Sequence, residues 1–246
     1  MRIPAFIASG LLSCLVLFAP AAVAASASQI QQLRDSSYRV TTQMFMYAIL
    51  NRAKERQQDA RSRIAAIDTQ VASLGDAEVA KRWQAVRSSL QGELYVDGDV
   101  NQRTLYSIED STTLFGRELD RLMPRELGRE EKALYDLAQR MQVMMLIYLR
   151  NSADPLGGSN YSGVNNEVDL EQLPDAFDAE LKTLAKTHPK LAPVFTKIRP
   201  KWVFLAPRLR DFNQKTVPYL VDMYGRQIID TLLAAAREQA AAAPAG

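Results

Sequence analysis

The sequence predicts an all-α protein, an elongated up-down helical bundle with a Pro-kinked C-terminal helical segment. Three observations predict it. Apolar residues recur at three- and four-residue steps over most of the chain from Gln29 onward. No segment shows the two-residue alternation of a half-buried strand. Gly and Pro gather at a few points between the periodic stretches, where turns belong.

Residues 1–24 form the first element, a secretory signal peptide. Arg2 gives the positive start, Phe6 to Phe18 is apolar without a charge, and Ala22-Val23-Ala24 is a small-x-small cleavage site. The apolar stretch falls short of the ~20 residues a membrane-spanning helix needs. A second site after Ala25-Ser26-Ala27 would move the cut by about three residues. Leu11-Leu12-Ser13-Cys14 is near a lipobox, but the run stays apolar through Phe18, so Cys14 is expected to leave with the signal. The expected location is therefore the periplasm, with no membrane span in the mature chain.

The next segment, 25–154, is expected to be a four-helix bundle. Ile30, Leu33, Val40, Met44 and Tyr47 begin a stripe that Ile64, Ile67, Val71 and Leu74 resume. Ser28 is a candidate N-cap, and Gly75-Asp76 ends this helix and starts the next. Unbroken, Gln29 to Leu74 would be about 69 Å long at the usual rise per residue, hence the expected elongation. Val79, Trp83, Val86, Leu90 and Leu94 make the second stripe, expected to pack on the Met-rich stripes of the first and fourth helices. Leu105, Ile108, Phe115, Leu119 and Leu122 make the third, and Leu134, Leu137, Met141, Met144 and Tyr148 the fourth. Pro155, Gly157, Gly158 and Gly163 then mark 155–174 as a Gly/Ser/Asn-rich loop. Over 175–246 helices resume and are expected to pack on the same bundle. Pro200 and Pro207 should each end or kink the middle one. Thr216 and Pro218 open the last.

Composition excludes much chemistry. A chain of 246 residues with 47% hydrophobic and 24% charged residues is neither collagenous nor disordered. One His and one Cys exclude haem attached through Cys-x-x-Cys-His, a structural zinc site and a disulfide framework. His188, directly before Pro189, is a poor triad base, and no Gly-x-Ser-x-Gly or His-Glu-x-x-His stands anywhere. Asp97-Gly98-Asp99 starts like a calcium loop, but Gln102 and Ile108 stand where that loop needs Gly and Glu, so a turn with a helix N-cap is expected. Met44, Met46, Met141, Met144 and Met145 read as adaptable core filler rather than copper ligands, because no Cys or His supports them. No catalysis, cofactor or metal is expected.

Charge segregation is the most informative feature. From Glu167 to Glu180 there are six acids and no Lys or Arg; from Lys186 to Lys215 there are eight bases against Asp211 alone. With Trp202 among them, Lys197, Arg199, Lys201, Arg208 and Arg210 are candidates for binding an envelope protein or an anionic surface. Export argues against nucleic acid. The competing expectation pairs them internally with Glu171, Asp175, Asp178 and Glu180.

Leu137-Ala138-Gln139-Arg140-Met141 resembles an element of the periplasmic helical-bundle domain shared by nitrate-sensing histidine kinases and type IV pilus chemotransducers; Gln43-Met44, after Tyr38-Arg39, is a poorer echo. The resemblance implies a four-helix bundle in which, in the nitrate sensors, a basic residue of the first helix contacts the anion. It covers about twenty residues and transfers no ligand residue. Trp202-Val203-Phe204 and Val217-Pro218-Tyr219-Leu220-Val221 are similar to segments of exported bacterial proteins. The expected function is that of a binding or adaptor module for an envelope partner. The alternative is a module that holds a small anion in the bundle core.

Overall fold

The computed structural model describes residues 25–50, 54–212 and 216–242. The expected signal peptide and Cys14 lie outside the described residues. Among those described, the chain forms eight α-helices, one short 3-10 turn and one two-stranded hairpin. The all-α helical bundle is what the periodicity predicted.

Helix α1 (Ala27–Ile49) starts at Ser26, not Ser28: the Ser26 hydroxyl accepts from the Gln29 amide while the Gln29 side chain accepts from the Ser26 amide, a reciprocal capping box. The single 46-residue helix does not form. α1 stops at Ile49, and α2 (Lys54–Leu74) folds back onto it, burying Ala60, Ile64, Ile67 and Val71. Segment 25–154 thus holds five helices rather than four, and the long rod is absent.

Gly75, at φ +64, ends α2, and Asp76 caps α3 (Ala77–Leu90) by accepting from the Val79 amide. Trp83, Val86, Leu90 and Leu94 share one buried face. That face packs chiefly on α4 (Gln102–Leu122) and then on α2, not on the Met-rich stripes of α1 and α5; the Trp83 ring lies 5.5 Å from Phe115. Between α3 and α4, Tyr95-Val96 pairs antiparallel with Asp99-Val100. No alternation marks a strand here, yet Asp97 and Gly98, both at positive φ, supply the two-residue turn such a hairpin needs.

Helix α5 (Arg129–Ala153) is the central element. It packs against α8 (Pro218–Ala242) above all, then α1, with α4 and α6 beside it. Gly225 lets α8 approach closely, since a Cβ there would collide with Met145. The helices of 175–246 therefore share the core of the N-terminal ones. α6 (Leu173–Thr187) and α7 (Ala192–Arg210) flank this centre, and Pro200 and Pro207 lie inside a continuous α7 rather than ending it.

Candidate functional site

The predicted basic residues sit on α7, and α6 decides what they can reach. Pro174 and Asp175 occupy the first turn of α6, which suits a helix start. His188 ends α6 with its Nδ1 3.2 Å from Glu130, and Pro189–Leu191 turns the chain into α7. The two helices run antiparallel, so Phe177 near the start of α6 meets Trp202 late in α7, ring centroids 4.4 Å apart.

The six predicted residues do not form one surface. Lys197 and Arg199 are exposed, and among the described residues no carboxylate lies within salt-bridge distance of either. Lys201 is half-buried and donates to the Lys197 carbonyl at 3.2 Å. Arg208 also lies half-buried, its guanidinium 3.6 Å above the Phe204 ring and donating to the Phe204 carbonyl. Arg210 donates two bonds to Asp175, at 2.9 and 2.6 Å. Trp202 is a correction: at 3% exposure it is a core residue, its indole N–H donating to Asp178 at 3.3 Å, not an interfacial ring beside the cations. Internal pairing fares no better as a full account. Asp178 pairs with Lys182 and Glu180 with Arg140, so only Arg210 pairs as that account required.

Between α6 and α7 runs an open cleft of about 390 Å³. Leu181, Phe195 and Trp202 form its nearly closed floor, and Ala185, Ala192 and Val203 its sides. Val203 is 63% exposed, the most exposed large hydrophobic side chain among the described residues. Lys182 and Arg199 stand on the rim with Asp178. Lys182 holds the Asp178 carboxyl below the ordinary range, so Asp178 stays ionised and its charge is met within α6.

Periodicity missed two buried polar centres. In one, Glu109 is fully buried and takes Arg150 Nε at 2.5 Å on one oxygen and Asn165 Nδ2 at 2.8 Å on the other. The Arg150 guanidinium lies 4.1 Å from the Tyr161 ring. Asp110 accepts from the Tyr161 hydroxyl and the Val164 amide. These bonds fasten the 155–174 loop across α4 and α5. In the other, buried Arg34 pairs with Asp120 and donates to Gln139 at 2.8 Å and to the Gly116 carbonyl. Arg39 of α1 is met by Asp35 and Asp230. Arg34, Arg39 and Arg150 thus already face carboxylates. The sequence signal was a charge directly after a stripe position, Arg34 after Leu33, Glu109 after Ile108 and Asp120 after Leu119.

Both Glu109 oxygens are engaged, and burial, opposed by Arg150, raises its pKa. Tyr106 is pushed up to about 12 by burial and by donating to Asp154. Burial alone would raise the Asp154 carboxyl, yet bonds from Tyr106, the Leu156 amide, Gln102 and the Gly158 amide outweigh it and hold its pKa below 3.8. That lowered value stabilises the fold at neutral pH, and the contribution is lost as pH falls below 3.8 through the lowered pKa. Asp154→Asn is expected to cost about 2–3 kcal/mol at pH 7. As pH falls through the lowered pKa, the gap to wild type in the urea unfolding midpoint should narrow, and a constant gap across pH would refute the ionic origin. Among the described residues, no group of three His, Cys, Asp or Glu side chains could hold a metal ion, and no helix is long and apolar enough to cross a membrane.

No protein-family model matches the chain, and no curated protein or solved structure matches it either, so the fold and the site rest on this structure.

Proposed function

We propose that the chain is a non-catalytic periplasmic helical-bundle protein that serves as a binding or adaptor module for an envelope partner, and that it meets this partner through the outer face of α6 and α7. One observation carries the reading: Lys197 and Arg199 project without carboxylates beside an apolar cleft. Exposed cations that no internal acid claims, next to uncovered apolar surface, suit a partner of opposite charge. The periplasmic assignment rests on the apolar leader and its Ala22-Val23-Ala24 site. A small anion in the bundle core has less support, since Arg34 and Arg150 are already neutralised by Asp120 and Glu109.

The test is capture from envelope extract with residues 25–246 as bait. A specific partner is expected that wild type retains and that Lys197→Glu/Arg199→Glu loses. Both positions are exposed, so the variant should keep the wild-type melting temperature. Capture should weaken as salt rises, because exposed charges are screened beyond about 8 Å at physiological ionic strength. Equal capture by both proteins, or none by wild type, would refute the reading.

A further inference from the structure

The α6–α7 cleft has the dimensions and chemistry of a helix receptor, and we infer that its occupant is an acidic amphipathic helix of a partner protein, about three turns long. The inference rests on the adaptor reading above and deepens it.

The lining residues follow helical spacing on both sides. On α6 they are Asp178, Leu181, Lys182 and Ala185; on α7 they run from Ala192 through Phe195 and Arg199 to Val203. Two antiparallel helices that present such faces to the outside form a valley into which the ridge of a third helix fits. The valley from Ala192 to Val203 is about 17 Å long at the helical rise, which sets three turns as the length of the occupant. Ala185 and Ala192, close to the Pro189 turn, allow near approach of a backbone, while Val203 offers an apolar anchor at the far end. Apolar residues at i, i+3 or i+4, and i+7 would fill the floor above Leu181, Phe195 and Trp202.

Charge selects the polar flank of that helix. Asp178 is the one acid of the lining, and Lys182 neutralises it at 2.6 Å. Arg199 on the rim and Lys197 beyond it keep their positive charge unmet, so the complementary flank carries Glu or Asp.

Panning residues 25–246 against a displayed library of random peptides of about sixteen residues, enough for three turns with flanks, tests this. Enriched peptides are expected to share apolar residues at i, i+3 or i+4, and i+7, to carry net negative charge, and to gain helicity on binding. Their affinity should fall at least about tenfold in Arg199→Glu and in Val203→Asp. Both side chains are exposed, so these variants should fold. Recovery of no peptides, of basic or neutral ones, or of acidic ones insensitive to both variants would overturn the inference. So would competition by phosphatidylglycerol vesicles that is itself lost in Val203→Asp, which would assign the cleft to lipid. The two readings fail separately. Envelope capture that survives Val203→Asp but not the double charge reversal keeps the adaptor and removes the cleft helix. Acidic helical binders in the absence of any captured envelope partner keep the cleft and remove the adaptor.

Discussion

Replacing Arg150 with methionine is expected to lower the unfolding free energy by about 3–5 kcal/mol at neutral pH, the usual cost of stranding a buried charge. Glu109 has no exposure to water, and Arg150, at 3%, donates to it across 2.5 Å. Methionine fills much of the arginine volume, so the loss reports the orphaned carboxylate rather than a cavity. It also removes the cation from above the Tyr161 ring. The pH dependence has a definite sign. Glu109 already has a raised pKa because burial penalises its charged form, and losing Arg150 raises it further. A carboxyl that titrates higher when folded weakens the fold at neutral pH and releases that cost as it protonates. The variant should therefore recover part of its loss between pH 7 and 5 in urea unfolding. Adding Glu109→Gln should restore much of the stability at pH 7. A loss under about 1 kcal/mol, or no recovery in the double variant, would show that the pair contributes little.

Trp83→Ala should cost a similar amount, about 3–5 kcal/mol, as large buried aromatics do. The ring is 3% exposed, rests on Phe115, and donates its indole N–H to Asp68 at 2.7 Å. One side chain thereby ties α3 to both α4 and α2. Trp83→Phe keeps the apolar contact and loses the hydrogen bond, so its cost should be nearer 1–2 kcal/mol. Chemical denaturation of the two variants side by side separates packing from the bond. A melting temperature for Trp83→Ala within a degree or two of wild type would mean that the ring is not a core residue.

How much of this was legible in the sequence differs by element, for physical reasons. The Val79–Leu94 stripe marks burial correctly because α3 turns one face inward. The Met-rich stripe of α5 is buried too, but from Met144 to Arg150 every residue is, so there the period understates the burial of a central helix. The break after Ile49 was hidden: neither Gly nor Pro marks it, and the reversal is set by α2 packing on α1. The Asp97-Gly98 turn carried its signature openly, but two-residue strands are too short to alternate. Trp202 could have been placed. Phe195, Ile198, Trp202, Leu205 and Leu209 follow helical spacing, and all five are buried, but the interleaved cations drew it toward the surface. Arg150 and Glu109 meet across 41 positions, a pairing that periodicity does not encode. The cleft was likewise out of reach, because it depends on how α6 and α7 sit side by side.

The contact between α5 and α8 also sets an order in time. The face of α5 that holds Met141 and Met145 is covered mainly by α8, which a ribosome makes long after α5. A nascent chain that has completed α1 to α5 therefore still shows a broad, soft, methionine-rich surface with nothing to cover it. Its native core cannot close until the Gly225 region has emerged and swung back. During that interval the chain stays open to chaperones, which hold just such surfaces. Closure of the native core is thus tied by topology to the arrival of α8.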